Sequence, residues 1–187
     1  MKAGPGGLTE SATLPRNSEA LGAVGGQPLF PAPQTAKDVY DSGNERPYNG
    51  LLRVDPETGR VGRTPLAGPL TGAASPVDGV VYFVRSDGSV TAVAADTGRQ
   101  LWRKVTDVES LSVPAASATY RRGYFANRFG RLPALDSRTG AEVRRTPALD
   151  DPGDEAQSRP PRVLLVKDAI VATAGDTAFS RGPDGPS

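Results

Sequence analysis

From residue 78 to residue 102 the chain reads DGVVYFVRSDGSVTAVAADTGRQLW. VVYFV is β-branched and aromatic, DG marks a turn, SVTAVA returns, ADTG turns again, and RQLWRKV supplies a third strand. Apolar residues occupy both parities of VVYFV, which predicts a strand covered on both faces. A sheet with one wet face would alternate cleanly instead. The same texture of short β-type runs between Gly, Asp and Pro turns begins at Lys37, and no segment carries a helical apolar face. Residues 1–36 hold no sustained period of 2 or 3.6 and are rich in Gly, Pro, Ser and Ala, so they read as a disordered linker or arm.

The pattern repeats. RVDPETGRVGR (53–63), AVAADTGRQLW (92–102) and ALDSRTGAEVR (134–144) align without a gap, and their Thr-Gly pairs recur roughly every 40 residues. Upstream, VVYFVRSDGSV (80–90) aligns with RGYFANRFGRL (122–132), and DAIVATAGD (168–176) starts a further copy after the polar insert DDPGDEAQSRPP. The units run over about 37–64, 65–105, 106–146 and 147–187. Each has room for four short antiparallel strands if the fourth lies in the variable stretch before the signature. Sheets of this kind, covered on both faces and repeated, predict an all-β partial β-propeller of four-stranded blades.

Composition narrows the chemistry more than the fold. At 187 residues with net charge +1, the chain has neither the self-repulsion of a disordered polymer nor a general basic face for nucleic acid or membranes. Leu, Ile, Val and Phe make up about a fifth of it, low for a globular chain. It has no Cys, which removes disulfides, thiolate metal sites and Cys nucleophiles. It has no His, which removes the commonest general base, the Ser-His-Asp triad and most zinc sites. The opening MKAGPGGLTESATLPRNSEA has no apolar h-region and so does not read as a secretory signal. No window approaches the length of a membrane-spanning helix.

The pattern A-x-D-x-x-T-G-x-x-x-W resembles the tryptophan-docking motif of quinoprotein-like (PQQ-like) β-propellers, and the resemblance covers roughly residues 37–180. It implies that Trp102 stacks on a turn peptide and locks adjacent blades, with Ala92, Thr97 and Gly98 forming its turn. The repeat signature in the other copies is Asp55, Thr58 and Gly59, and Ala134, Asp136, Thr139 and Gly140. The copies depart from the motif at several places: Ala94 stands for Asp, Arg53 for Ala, and Arg63 and Arg144 for Trp. A buried Trp cut to Ala costs about 3–5 kcal/mol, and a buried unpaired Arg costs more unless it reaches solvent. Gly123 replaces Val81 within a strand and Pro133 replaces Thr91, substitutions that weaken a ladder. The series therefore reads as a damaged copy of a longer repeat array, three units and a fraction where family rings need six to eight.

The resemblance also brings quinone and calcium to mind, but the dehydrogenases that use them rely on a vicinal disulfide, a stacking Trp and an acidic metal set. With no Cys and with Trp102 assigned to docking, no catalytic residue, metal ligand or cofactor is assigned. DDPGDE (150–155) lacks the carboxylate spacing of a calcium loop and reads as a solvated connection. RRGYFANRF (121–129) matches an RNA-binding signature only in part and reads as a blade strand. DSGNE (41–45) and SDGS (86–89) read as turns. The expected function is a non-catalytic scaffold whose partner is a protein or the remaining propeller blades. The resemblance implies two settings, an extracytoplasmic envelope assembly protein or the sensor part of a bacterial Ser/Thr kinase. The other readings are a fragment of a quinoprotein dehydrogenase, and a truncated product without independent function.

Overall fold

A computed structural model describes residues 3–4, 7–8, 13–14, 18–33, 47–85, 87–106, 111–112, 114–117, 119–127, 129–147, 161–167, 169–174 and 177–182. Among them every regular element is a strand. A two-stranded pair, β1 (Ala3–Gly4) and β2 (Gly7–Leu8), precedes four repeat sheets. The first sheet holds β3 (Gly22–Val24), β4 (Gln27–Pro33), β5 (Tyr48–Val54) and β6 (Val61–Leu70) in chain order. The second holds β7 (Ala73–Val77), β8 (Val80–Val84), β9 (Ser89–Ala94) and β10 (Gln100–Val105), and the third β11 (Ala115–Ser117), β12 (Arg122–Tyr124), β13 (Pro133–Asp136) and β14 (Glu142–Arg145). The fourth has three strands, β15 (Arg162–Val166), β16 (Ala169–Ala174) and β17 (Thr177–Arg181). Each sheet is an up-and-down meander, the architecture of propeller blades, so the chain is an all-β partial β-propeller.

The first sheet begins earlier than the sequence suggests. Gly22–Val24 and Gln27–Pro33 lie in the stretch read as an arm, yet they are the first two strands of that sheet. Gly25 and Gly26, with φ of 57° and 78°, make the two-residue turn between them. Pro28, Pro31 and Pro33 conceal the strand, because proline in a run argues against an interior ladder. At the other end β6 continues to Leu70, so residues 65–70 belong to the first sheet rather than the second unit.

Two compact units divide the chain, Met1–Val81 with Val93–Gln100, and Tyr82–Ala92 with Leu101–Ser187. In the first, β3 lies beside β7. In the second, Tyr124, Ala126, Leu132 and Ala134 of the third repeat pack on Val163, Ile170 and Ala172 of the fourth, with Ala115, Leu165 and Phe179 at the margin. Each fully buried side chain of Val or Leu size contributes about 1.5–3 kcal/mol relative to exposure, so such facing apolar sheets carry most of the fold's stability.

The strand substitutions that look damaging are accommodated. A Cβ on Gly123 would come within 3.3 Å of the Phe125 ring and 3.8 Å of Tyr82, so the missing side chain leaves room for aromatic rings. Pro133 is the first residue of β13, where a ladder N–H is least missed, and its carbonyl accepts the Phe125 N–H at 3.0 Å. A register shift follows between Ala134 and Leu135.

Candidate functional site: the repeated turn and its tryptophan clasp

Three turns close the last hairpins of the first three sheets in one conformation. Gly59, Gly98 and Gly140 have φ of 68°, 69° and 70°, the left-handed region where only glycine is free of strain. In each, the glycine N–H donates to a carbonyl four residues back: Asp55 at 2.9 Å, Ala94 at 2.8 Å and Asp136 at 2.9 Å. The Thr hydroxyl accepts from the second amide onward, from Arg60 (3.4 Å), Arg99 (3.5 Å) and Ala141 (3.2 Å).

In two copies an Asp adds a second brace. Asp55 Oδ1 accepts the amides of Glu57 (2.8 Å) and Thr58 (3.0 Å). Asp136 Oδ1 accepts those of Arg138 (3.0 Å) and Thr139 (2.8 Å) and the Thr139 hydroxyl (2.9 Å). The Thr58 amide, then that of Glu57, holds the Asp55 carboxyl below its ordinary 3.8. For Asp136 desolvation pulls upward, but the Thr139 hydroxyl and amide and the Arg138 amide together outweigh it, and that carboxyl also lies low. The middle copy keeps the backbone turn with Ala94 in the Asp position, so the glycine and not the carboxylate defines the conformation.

Trp102 sits against the turn of the following copy. Its indole Nε1 donates to the Ser137 carbonyl at 2.9 Å, and a Cβ placed on Gly140 would be 2.5 Å from the Trp102 ring. The ring is 7% exposed and tilts against Tyr82, with centroids 6.0 Å apart. Tyr82 in turn meets Phe125 edge-on at 6.4 Å, an arrangement aromatic quadrupoles favour. The turn at Gly98 meets a backbone instead: a Cβ there would overlap the Pro65 carbonyl and come 3.3 Å from Thr64 Cγ2. Thr64 and Pro65 directly follow Arg63, the residue in the Trp position of the first copy.

The remaining signature positions separate by exposure. Ala92 and Ala134 are buried, whereas Thr58, Thr97 and Thr139 are exposed, their hydroxyls turned back to the chain. Arg63 is exposed and donates to Asn49 Oδ1. Arg144 is half-buried opposite Ala134. Arg53 differs: its Nε and one terminal nitrogen are buried without a hydrogen-bond partner, where the other copies carry Ala. Sequence reasoning missed Ser137, Tyr82 and Phe125 as members of the clasp, because which copy receives a tryptophan is a relation between units that no local spacing encodes.

Tyr124 and Phe125 are buried, and Asn127 Oδ1 accepts the amides of Phe129 (3.0 Å) and Arg131 (2.9 Å). Within the RNA-like stretch these two rings are thus core and Asn127 braces a turn, while Phe129 is half-buried. Asp87 likewise braces its own turn by accepting the Ser89 amide at 2.9 Å. DDPGDE and DSGNE lie outside the described residues. Among the described residues, the donor set does not fit the quinone and calcium of the dehydrogenases. The single Trp is already stacked and hydrogen-bonded, and among the described residues no group of three or more His, Cys, Asp or Glu side chains lies together. Nor, among them, is any helix long and apolar enough to cross a membrane.

A family model described as "Outer membrane protein assembly factor BamB" (PQQ_2) matches residues 34–181. No curated protein sequence matches the chain. Among solved structures, the chain is similar to BamB from Moraxella catarrhalis, with TM-score 0.50, 19% identity, and coverage of 76% of this chain and 44% of that one. It is similar to the computationally designed Ika8 protein at TM-score 0.50 and 17% identity, with the same two coverages. The computationally designed Ika4 protein gives TM-score 0.53 and 17% identity, covering 76% of this chain and 87% of Ika4. The chain thus spans less than half the length of the BamB and Ika8 structures.

Proposed function

The chain belongs to the PQQ_2 family of BamB-like repeat propellers, and from that membership we propose that it is a non-catalytic, protein-binding scaffold. The observation that carries this reading is the use of Trp102: the chain's single tryptophan is spent on the Gly140 turn and the Ser137 carbonyl. What the repeats build is a set of rigid turns held by backbone bonds, a surface suited to presenting loops to another protein. The family description supports an envelope assembly setting, outside the cytoplasm, over the sensor of a kinase. In that setting the partner is an outer-membrane protein on its way to assembly.

A direct test dilutes a fluorescently labelled, urea-unfolded outer-membrane barrel protein into the purified chain and follows anisotropy. Saturable binding is the expected result. A flat titration would remove the assembly setting, and quinone-dependent reduction of a dye by the chain would overturn the non-catalytic reading itself.

A further inference from the structure

At position 53 the first sheet carries a charge where the second and third carry a methyl group. Ala92 and Ala134 occupy that position of the signature, and both are buried. In β5 it holds a guanidinium whose Nε and Nη2 are buried and have no hydrogen-bond partner among the described residues. Buried polar atoms in folded proteins are nearly always bonded, so two such donors on one side chain call for an explanation in function.

The pair has a specific geometry. Nε and Nη2 form one edge of the guanidinium, and their parallel N–H groups match the two oxygens of a carboxylate or phosphate. In the ladder Arg53 stands between Leu29 of β4 and Gly62 of β6, so the three residues share one face. Leu29 and Leu51, the latter two residues back on the same face, are fully buried. That flank is apolar, and a charge-assisted hydrogen bond is stronger beside it than in water. The β6 flank is open. Gly62 is exposed, and a Cβ built on it would meet no atom within 4 Å. Half-buried Arg53 therefore has an apolar wall on one side and clear space on the other.

The charges nearby select the anion. Asp55, two residues on, has Oδ1 engaged by the Glu57 and Thr58 amides of its own turn, and Arg60 is the cation beside it. Arg63 lies on the other face, opposite Leu52, and donates to Asn49 Oδ1. Arg53 thus offers one positive charge and one fork. That matches the single charge and two oxygens of a carboxylate better than a phosphate monoester, which carries about −1.5 to −2 at neutral pH.

We propose that the Arg53 fork is a carboxylate-binding site, entered across Gly62 on the open flank of the first sheet. A carboxylate there accepts from Nε–H and Nη2–H in parallel and pairs the buried charge. The site stands on the first sheet alone and does not depend on the scaffold function proposed above.

Heteronuclear NMR of the arginine Nε–H resonances tests it, with the Arg53 resonance identified by its loss in Arg53→Lys. At ionic strength held constant with chloride, sodium acetate is expected to shift that resonance saturably. Two peptides distinguish the source of the carboxylate: acetyl-tetraalanine with a free C-terminus, and acetyl-Ala-Glu-Ala amide. The tighter of the two names a chain terminus or an acidic side chain, and a response to acetate alone assigns the site to small free acids. Acetyl-tetraalanine amide is expected to leave the resonance in place. Acetate is also expected to raise the Tm of the wild type and not that of Arg53→Lys, which keeps the charge and loses the fork. Gly62→Val, with unchanged circular dichroism, is expected to abolish the shift. An Arg53 resonance unmoved by all three carboxylates overturns the proposal, as does an equal rise in Tm for Arg53→Lys. Tighter binding of sodium phosphate than of acetate overturns the choice of anion, and an undiminished shift in Gly62→Val overturns the route of entry.

Discussion

Replacing Gly140 with alanine asks the backbone to hold φ near 70° with a Cβ 2.5 Å from the Trp102 ring. The left-handed conformation costs a non-glycine residue about 1–2 kcal/mol, and displacing the ring adds about 1–3 kcal/mol of overpacking. Gly140→Ala should therefore lower unfolding free energy by about 2–4 kcal/mol in urea titrations followed by the single tryptophan. Arg53 calls for the opposite change. Its buried, unpartnered nitrogens make Arg53→Ala, which restores the residue found at positions 92 and 134, a stabilising substitution of about 1–3 kcal/mol. A higher Tm than the wild type is the expected readout, and a lower one would show that the arginine has a role the buried nitrogens do not reveal. The braced aspartates give a pH dependence of definite sign. Asp55 and Asp136 have folded values below 3.8, so their contribution is present above 3.8 and is lost as pH falls through the lower folded value. Asp55→Asn with Asp136→Asn should flatten the acid limb of Tm between about pH 5 and pH 2. Ala94→Asp should add a third brace and steepen that limb.

At the scale of strands, side-chain hydroxyls tie the entry of one strand to the exit of another. Thr106 Oγ1 donates to the Gly88 carbonyl at 2.8 Å, and Thr146 Oγ1 accepts the Leu132 N–H at 2.9 Å. Thr146→Val leaves that buried N–H unmet and should cost about 1–3 kcal/mol, visible as faster amide exchange along β13. The elements were legible in the sequence where two signals coincided. VVYFV and SVTAVA are β-branched runs bounded by DG and ADTG, and they are β8 and β9. The Thr-Gly pairs are the three glycine turns. Legibility failed where one residue carries opposite meanings. QPLFPAP reads as a linker because proline ordinarily interrupts a ladder, yet its apolar residues fill the second strand of the first sheet. The register shift between Ala134 and Leu135 was equally hidden; it leaves Arg144 opposite Ala134, whereas in the first sheet Arg63 stands opposite Leu52. Two residues with one place in the motif thus point from different positions of the ladder.

For the molecule as a whole, the repeat signature pointed to the kind of fold, because three aligned turns about 40 residues apart admit few all-β arrangements. The partner of Trp102 was not readable, since the indole bonds a carbonyl 35 residues away and belongs to the next unit's turn. The proposed scaffold reading rests on that geometry, and the sole tryptophan makes it measurable. The measurement is the fluorescence of Trp102 in the folded chain, titrated with pyrroloquinoline quinone in the presence of calcium and, in parallel, with acrylamide. A clasped indole predicts blue-shifted emission, weak acrylamide quenching that rises on unfolding, and no saturable response to the quinone. Saturable, calcium-dependent quenching of Trp102 by the quinone would contradict the account, because it would place a planar cofactor on a ring that the Gly140 turn already covers.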